Sequence, residues 1–140
     1  AVAPTHIFVE QSSDNFISKQ TPAVFRTNLT DAYYAPLNLG VSTYTATIYT
    51  FALTDNGNYV SGNSTIARIF TVPQNSSVAF PIGAQLHVRQ VGVGQLTLAQ
   101  GSGVTINTSE TLLLRKQGST VTLVKVATDE WDIFGDLEAV

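Results

Sequence analysis

Two histidines are the residues best suited to acid–base chemistry in this 140-residue chain, and neither stands in a catalytic pattern. His6 lies near the start, and His87 lies beside Arg89 in the alternating segment 85–91. A histidine base needs a nucleophile and an orienting group within hydrogen-bonding reach. The sequence has no Gly-x-Ser-x-Gly elbow and no His-Glu-x-x-His pair. We therefore predict no catalytic residues, and place His87 and Arg89, which share one side of a strand, at the surface or in an oligomer interface.

Half of the ten carboxylates lie close to the C-terminus, where they could bind a metal ion or act in acid–base catalysis. They are Asp129, Glu130, Asp132, Asp136 and Glu138. Oxygen ligands suit Ca²⁺, but the spacing is not that of an EF-hand loop. Paired carboxylates also suit glycoside hydrolysis, but so small a domain leaves little room for a long substrate groove. We favour a solvated acidic rim, interpret Gly92-Val93-Gly94 as hairpin residues, and expect no metal or cofactor.

The composition narrows the possible partners. Cysteine is absent, so disulfides and thiolate metal sites are excluded. Charged residues make up 12% of the chain and the net charge is -3, so the sequence does not indicate the basic surface that binds nucleic acid. No apolar run reaches the ~20 residues that cross a bilayer, so membrane insertion is not expected. A surface rich in Thr, Ser, Asn and Gln favours packing against other copies or neighbours, because uncharged groups are cheaper to desolvate.

Short strand patterns follow one another from Tyr44 to the C-terminus. Segments 44–52, 65–72, 85–91, 95–99 and 120–127 are β-branched or alternate, and turn residues separate them. Trp131 and Phe134 supply apolar bulk that could close one end of the core. This spacing predicts an all-β domain over residues 43–140, a small antiparallel sandwich or barrel.

Residues 1–42 follow neither the helical nor the strand period, yet they contain apolar patches. Such a segment needs a partner surface, so we predict an extended N-terminal arm that attaches the chain to a larger assembly. The predicted attachment residues are Ile7, Phe8, Val9, Phe16, Ile17, Phe25 and Leu29. Together with His87 and Arg89, the predicted oligomer interface contains Tyr33, Tyr34, Leu37 and Leu39.

The stretch 80–137 resembles a domain found repeatedly in virion proteins of tailed bacteriophages, including tail fibres, head fibres and capsid decoration proteins. The resemblance is carried by Phe80-Pro81-Ile82-Gly83-Ala84-Gln85-Leu86-His87-Val88-Arg89-Gln90, Gly103-Val104-Thr105-Ile106-Asn107, Leu114-Arg115-Lys116-Gln117-Gly118-Ser119 and Trp131-Asp132-Ile133-Phe134-Gly135-Asp136-Leu137. Segment 26–40 is similar to connecting stretches of trimeric phage fibres. The resemblance implies a homotrimer that contacts other virion proteins.

The leading hypothesis is a non-enzymatic virion protein, a head-fibre, decoration or short tail-fibre subunit anchored by its arm. The lack of a signal-like start favours synthesis in the bacterial cytoplasm, followed by assembly into the virion. The alternative is a tail-fibre adhesin that binds a host surface glycan through exposed tyrosines. A hydrolase is the third hypothesis.

Overall fold

The computed structural model describes residues 38–140, in which nine short strands wind into a β-solenoid. The strands are β1 (Val41–Tyr44), β2 (Ile48–Thr50), β3 (Tyr59–Gly62), β4 (Arg68–Val72), β5 (Gln85–Gln90), β6 (Leu96–Gln100), β7 (Thr105–Asn107), β8 (Thr120–Ala127) and β9 (Glu130–Gly135). One 3₁₀ turn, Leu53–Asp55, follows β2. The prediction of an all-β chain is confirmed for these residues.

Strands β1 to β6 alternate between two sheets, and β7, β8 and β9 all belong to the larger one. The larger sheet has the order β1-β3-β5-β8-β9-β7, and the smaller has the order β2-β4-β6. Because the chain changes sheet at each corner of this part, β1 pairs with β3, β2 with β4, β3 with β5 and β4 with β6, and all four pairs run parallel. Val41 thus lies beside Tyr59, and Tyr59 beside His87.

The winding ends in antiparallel pairs at the C-terminal end. β8 runs antiparallel to β5 and to β9, and β7 pairs parallel with the far side of β9. The tight turn between β8 and β9 places Asp129 in the left-handed region, at φ 57°. Residues 113 and 114 add single bridges to Thr97 and Leu137, which extend the pairing past β6.

The core fills the space between the two sheets. Phe70, Leu86, Leu98 and Leu123 are each at most 1% exposed, and Trp131 packs edge-on against Phe80 with ring centroids 5.4 Å apart. The prediction for Trp131 is confirmed, since this side chain is 1% exposed. The prediction for Phe134 is wrong, because strand alternation turns it outward and leaves it 59% exposed.

The predicted antiparallel sandwich or barrel is wrong, because most of the pairing is parallel and between coils. The prediction that Gly92-Val93-Gly94 are hairpin residues is wrong, because they form a corner between β5 and β6, which lie in different sheets. A Cβ on Gly92 would lie 2.0 Å from the carbonyl oxygen of Ser64, and one on Gly94 would lie 2.0 Å from that of Ile66. The glycines are thus needed for backbone to stack on backbone, not for chain reversal.

The predicted strand 44–52 is two strands with a corner between them, since β1 ends at Tyr44 and β2 begins at Ile48. The prediction for 120–127 matches β8 at both ends. The described residues begin at Asn38, so most of the predicted arm, 1–42, and all of its predicted attachment residues lie outside them. Those assignments stay predictions.

We expect Gly94→Ala to lower the free energy of unfolding by about 3 kcal/mol or more, because the new methyl group meets neighbouring backbone that cannot rotate away. Urea denaturation followed by the fluorescence of Trp131 measures the change. Gly40→Ala is the matched control, because its new Cβ meets the side-chain oxygen of Asn58, which can move. It should cost less than about 1 kcal/mol. Equal losses in the two variants would contradict tight stacking at the corner.

Candidate functional site

The outer face of the smaller sheet carries no charged side chain. Its outward residues are Ile48 and Thr50 on β2, Ile69 and Thr71 on β4, and Thr97 and Ala99 on β6. We call these six residues the Ile/Thr face. They align in two rows across the strands, because parallel register places Ile48, Ile69 and Thr97 side by side, and Thr50, Thr71 and Ala99 likewise. Ile48 is 67% exposed and Ile69 is 43% exposed.

The outer face of the larger sheet is more mixed. One row across it contains Val41, Tyr59, His87, Thr122 and Phe134. His87 Nδ1 lies 3.0 Å from the hydroxyl of Thr122, and the hydroxyl of Tyr59 lies 3.1 Å from that of Thr120. These side chains are therefore partly engaged with one another.

Three residues of the predicted oligomer interface lie in the described part of the chain. Leu39 is 51% exposed just before β1. His87 and Arg89 both point outward from β5, as the alternation predicts, with Arg89 exposed and His87 half-buried. Tyr33, Tyr34 and Leu37 lie outside the described residues. The role of this set as an interface stays a prediction.

A polar network near the first corner contains none of the residues predicted from the sequence to form a site. The hydroxyl of Tyr49 donates to Asp55 Oδ2 at 2.6 Å, and the hydroxyl of Tyr44 donates to Asp55 Oδ1 at 3.3 Å. The backbone N–H of Ala52 donates to the same carboxylate at 2.8 Å. Asp55 is 1% exposed, so these three donors compensate its burial.

The two tyrosines of this network stack with their ring centroids 3.8 Å apart. Burial, followed by the hydrogen bonds to Asp55 and to Tyr44, raises the pKa of Tyr49 well above its ordinary value. The neutral phenol is therefore the form that the fold stabilises. The arrangement ties β1, β2 and the 3₁₀ turn together and offers no free nucleophile or base.

Arg68 is a second buried polar residue at this corner. Its side chain is 1% exposed, and its Nη1 and Nη2 donate to the carbonyl oxygens of Tyr44 and Thr45 at 2.7 and 3.2 Å. Its Nε has no hydrogen-bond partner among the residues that the structure describes. Desolvation by burial lowers the pKa of the guanidinium. Gly62 makes room for this side chain, since a Cβ there would lie 2.8 Å from Arg68 Cδ.

Gln90 and Lys125 complete the buried polar set. Gln90 is 2% exposed, accepts from the backbone N–H of Leu96 at 3.0 Å and donates to the carbonyl of Gly92 at 3.2 Å, so it holds the next corner. Lys125 is 3% exposed and donates to the carbonyl of Phe80 at 2.8 Å and to the side chain of Asn75. Both fix loops rather than a ligand. Gln90 and Lys125 could have been predicted as buried polar residues, because each occupies an inward position of its strand.

The C-terminal carboxylates do not converge on one point. Asp136 pairs with Arg115 at 2.7 Å and accepts from the hydroxyl of Ser119 at 2.6 Å. The hydrogen bond from Ser119 has the largest effect and that from Arg115 the next, and together they hold the pKa of Asp136 below its ordinary value. Asn107 donates to Glu130 at 2.9 Å and to Asp132 at 2.8 Å. The remaining two acids contact other loops, Asp129 with the backbone of Asn75 and Glu138 with Gln95.

Within residues 38–140, no group of three or more His, Asp or Glu side chains is arranged to hold a metal ion. The same part of the chain contains no helix with the length and apolar character to cross a membrane.

Comparison of the chain with protein-family models, with curated proteins and with solved structures gave no match.

We expect Tyr49→Phe to lower the free energy of unfolding at neutral pH by about 1–3 kcal/mol, because a buried carboxylate loses a donor. In the wild-type fold the pKa of Tyr49 is higher than in the unfolded chain, where tyrosines titrate at about pH 10. Its contribution is therefore complete below that pH and is lost as pH rises further. Urea titrations at several pH values should show a shallower alkaline decline in the variant.

Tyr59→Phe is the control for loss of a phenolic hydroxyl, because its partner is the neutral hydroxyl of Thr120. It should cost about 0.5–1.5 kcal/mol at neutral pH. A Tyr49→Phe variant with wild-type stability and the wild-type alkaline slope would show that the Asp55 network does not hold this corner.

Proposed function

We propose that the chain is a non-enzymatic structural protein of a tailed-phage virion, a self-associating fibre or decoration subunit. The observation that carries the proposal is the amount of apolar surface that the solenoid leaves outside. Ile48, Ile66, Ile82, Val93 and Phe134 are each more than half exposed. A contiguous exposed apolar surface is typical of proteins that assemble, whereas scattered single residues are not informative.

Two of the exposed apolar residues adjoin on one face. Ile48 and Ile69 are direct neighbours across β2 and β4, and Ile66 lies in the corner on which Gly94 stacks. Low charge supports the same conclusion, because charged residues make up only 12% of the chain. A permanently assembled subunit needs less of the surface charge that keeps monomeric proteins soluble and separate.

The solenoid architecture also suits a mechanical role. Each coil of the winding contributes one strand to each sheet, so the coils support one another through backbone hydrogen bonds.

The three tyrosines in the described part are half-buried and hydrogen-bonded to protein groups, so they give no particular support to the glycan-binding alternative.

The proposal predicts that the chain sediments with phage particles. A lysate of the source culture is separated on a density gradient, and antibody against the full-length chain is used on each fraction and on negatively stained particles. The expected result is a fixed copy number per particle and label at one place on the virion. Chain that stays at the top of the gradient, away from all particles, would contradict the virion role.

Light scattering on the purified chain tests self-association separately. A homotrimer gives three times the 15.0 kDa mass of one chain. A mass of 15.0 kDa at every concentration would contradict the oligomeric part of the proposal and leave a monomeric decoration protein.

A further inference from the structure

We propose that the Ile/Thr face is the surface through which copies of this chain associate. The inference depends on the self-association proposed above and names the residues responsible. The occupant is a second copy of this chain, which covers the face with its own Ile/Thr face. The core of the face is the pair Ile48 and Ile69, flanked by Thr50, Thr71 and Thr97.

The first argument is shape. Three parallel strands in register present their outward side chains in straight rows, with neighbouring strands about 4.8 Å apart. The outward residues are β-branched except for Ala99, so few rotamers are lost when the face is covered. Such a face is pre-organised for close packing against another sheet surface.

The second argument is charge. When a face meets a copy of itself, every charge on it approaches a like charge or must find a partner on the other subunit. The Ile/Thr face carries no Asp, Glu, Lys, Arg or His at its six positions. Its threonine hydroxyls can both donate and accept, so two identical rows can pair without a desolvated charge. The face is therefore complementary to itself.

The larger sheet differs in this respect. Its outer face contains Arg89, Glu130 and Asp132, and its aromatic row is partly engaged through the bond between His87 and Thr122. Contact between copies through that face would require an oppositely charged arrangement across the interface. Covering the Ile/Thr face with another copy therefore desolvates no charged side chain, whereas covering the outer face of the larger sheet does.

The test places a charge at the centre of each face in the full-length chain and measures mass against concentration. Ile69→Asp alters the Ile/Thr face, and Phe134→Asp, at a side chain of similar exposure, alters the other. We expect Ile69→Asp to raise the dissociation constant of the oligomer about 100-fold or more, because the introduced carboxylates are buried together. Phe134→Asp should leave the dissociation constant within about threefold of the wild type.

Correct folding of each variant is checked by the fluorescence of Trp131, the single tryptophan, which is 1% exposed in the core. If Ile69→Asp does not fold, Thr50→Glu tests the same face from an exposed position on its edge strand. The same loss of association is expected.

The outcomes separate the inference from the proposed function. A wild-type oligomer that resists Ile69→Asp or Thr50→Glu, or that is dissociated by Phe134→Asp or by Arg89→Glu, overturns the Ile/Thr face as the interface while leaving the assembly role intact. Dissociation by Arg89→Glu in particular would place the interface at His87 and Arg89, as the sequence predicts. A wild-type monomer instead contradicts self-association itself.

Discussion

Close stacking of backbone on backbone at the corners is the constraint on which the rest of this structure depends. The corner at Gly92 and Gly94 lies against residues 64 and 66 of the previous coil at a separation that no side chain could occupy. The backbone N–H of Gly94 donates to the carbonyl of Ser64 at 2.9 Å, which continues the hydrogen bonding of the sheets through the corner. Because the corners fix the rise from coil to coil, they also fix the parallel register of both sheets.

The buried polar residues follow from this constraint. A corner has no strand ladder to satisfy its carbonyl and N–H groups, so side chains must do so from inside the fold. Arg68 binds two carbonyls at the first corner, and Gln90 binds a carbonyl and an N–H at the second. Asp55 serves the 3₁₀ turn in the same way, because its carboxylate accepts from the backbone N–H of Ala52 at 2.8 Å. Corner geometry thus accounts for the burial of Asp55 and Gln90 and for two of the three nitrogens of the Arg68 guanidinium.

The sequence predicted the strands better than their partners. Alternation in β5 is strict, so the inward Leu86 and Val88 and the outward Arg89 could be predicted from the period alone. Pairing could not be read, because glycine permits both a tight reversal and a close backbone contact, and only the neighbouring coil distinguishes them. The strand order also requires knowing that the chain changes sheet between Tyr44 and Ile48, where the β-branched run continues without a break.

The Ile/Thr face was missed for a related reason. Its rows consist of residues that are far apart in the chain and become neighbours only through the parallel register, as Thr50 and Thr71 do. In a parallel ladder, like residues stacked in register would repel if they were charged, since neighbouring strands are only about 4.8 Å apart. On the other sheet the exposed Arg89 is accordingly flanked by Ser61 and Thr120 rather than by a second cation. The stacking that holds the coils together therefore favours uncharged outer rows, and an uncharged outer row is what a copy of the same chain can cover at least cost.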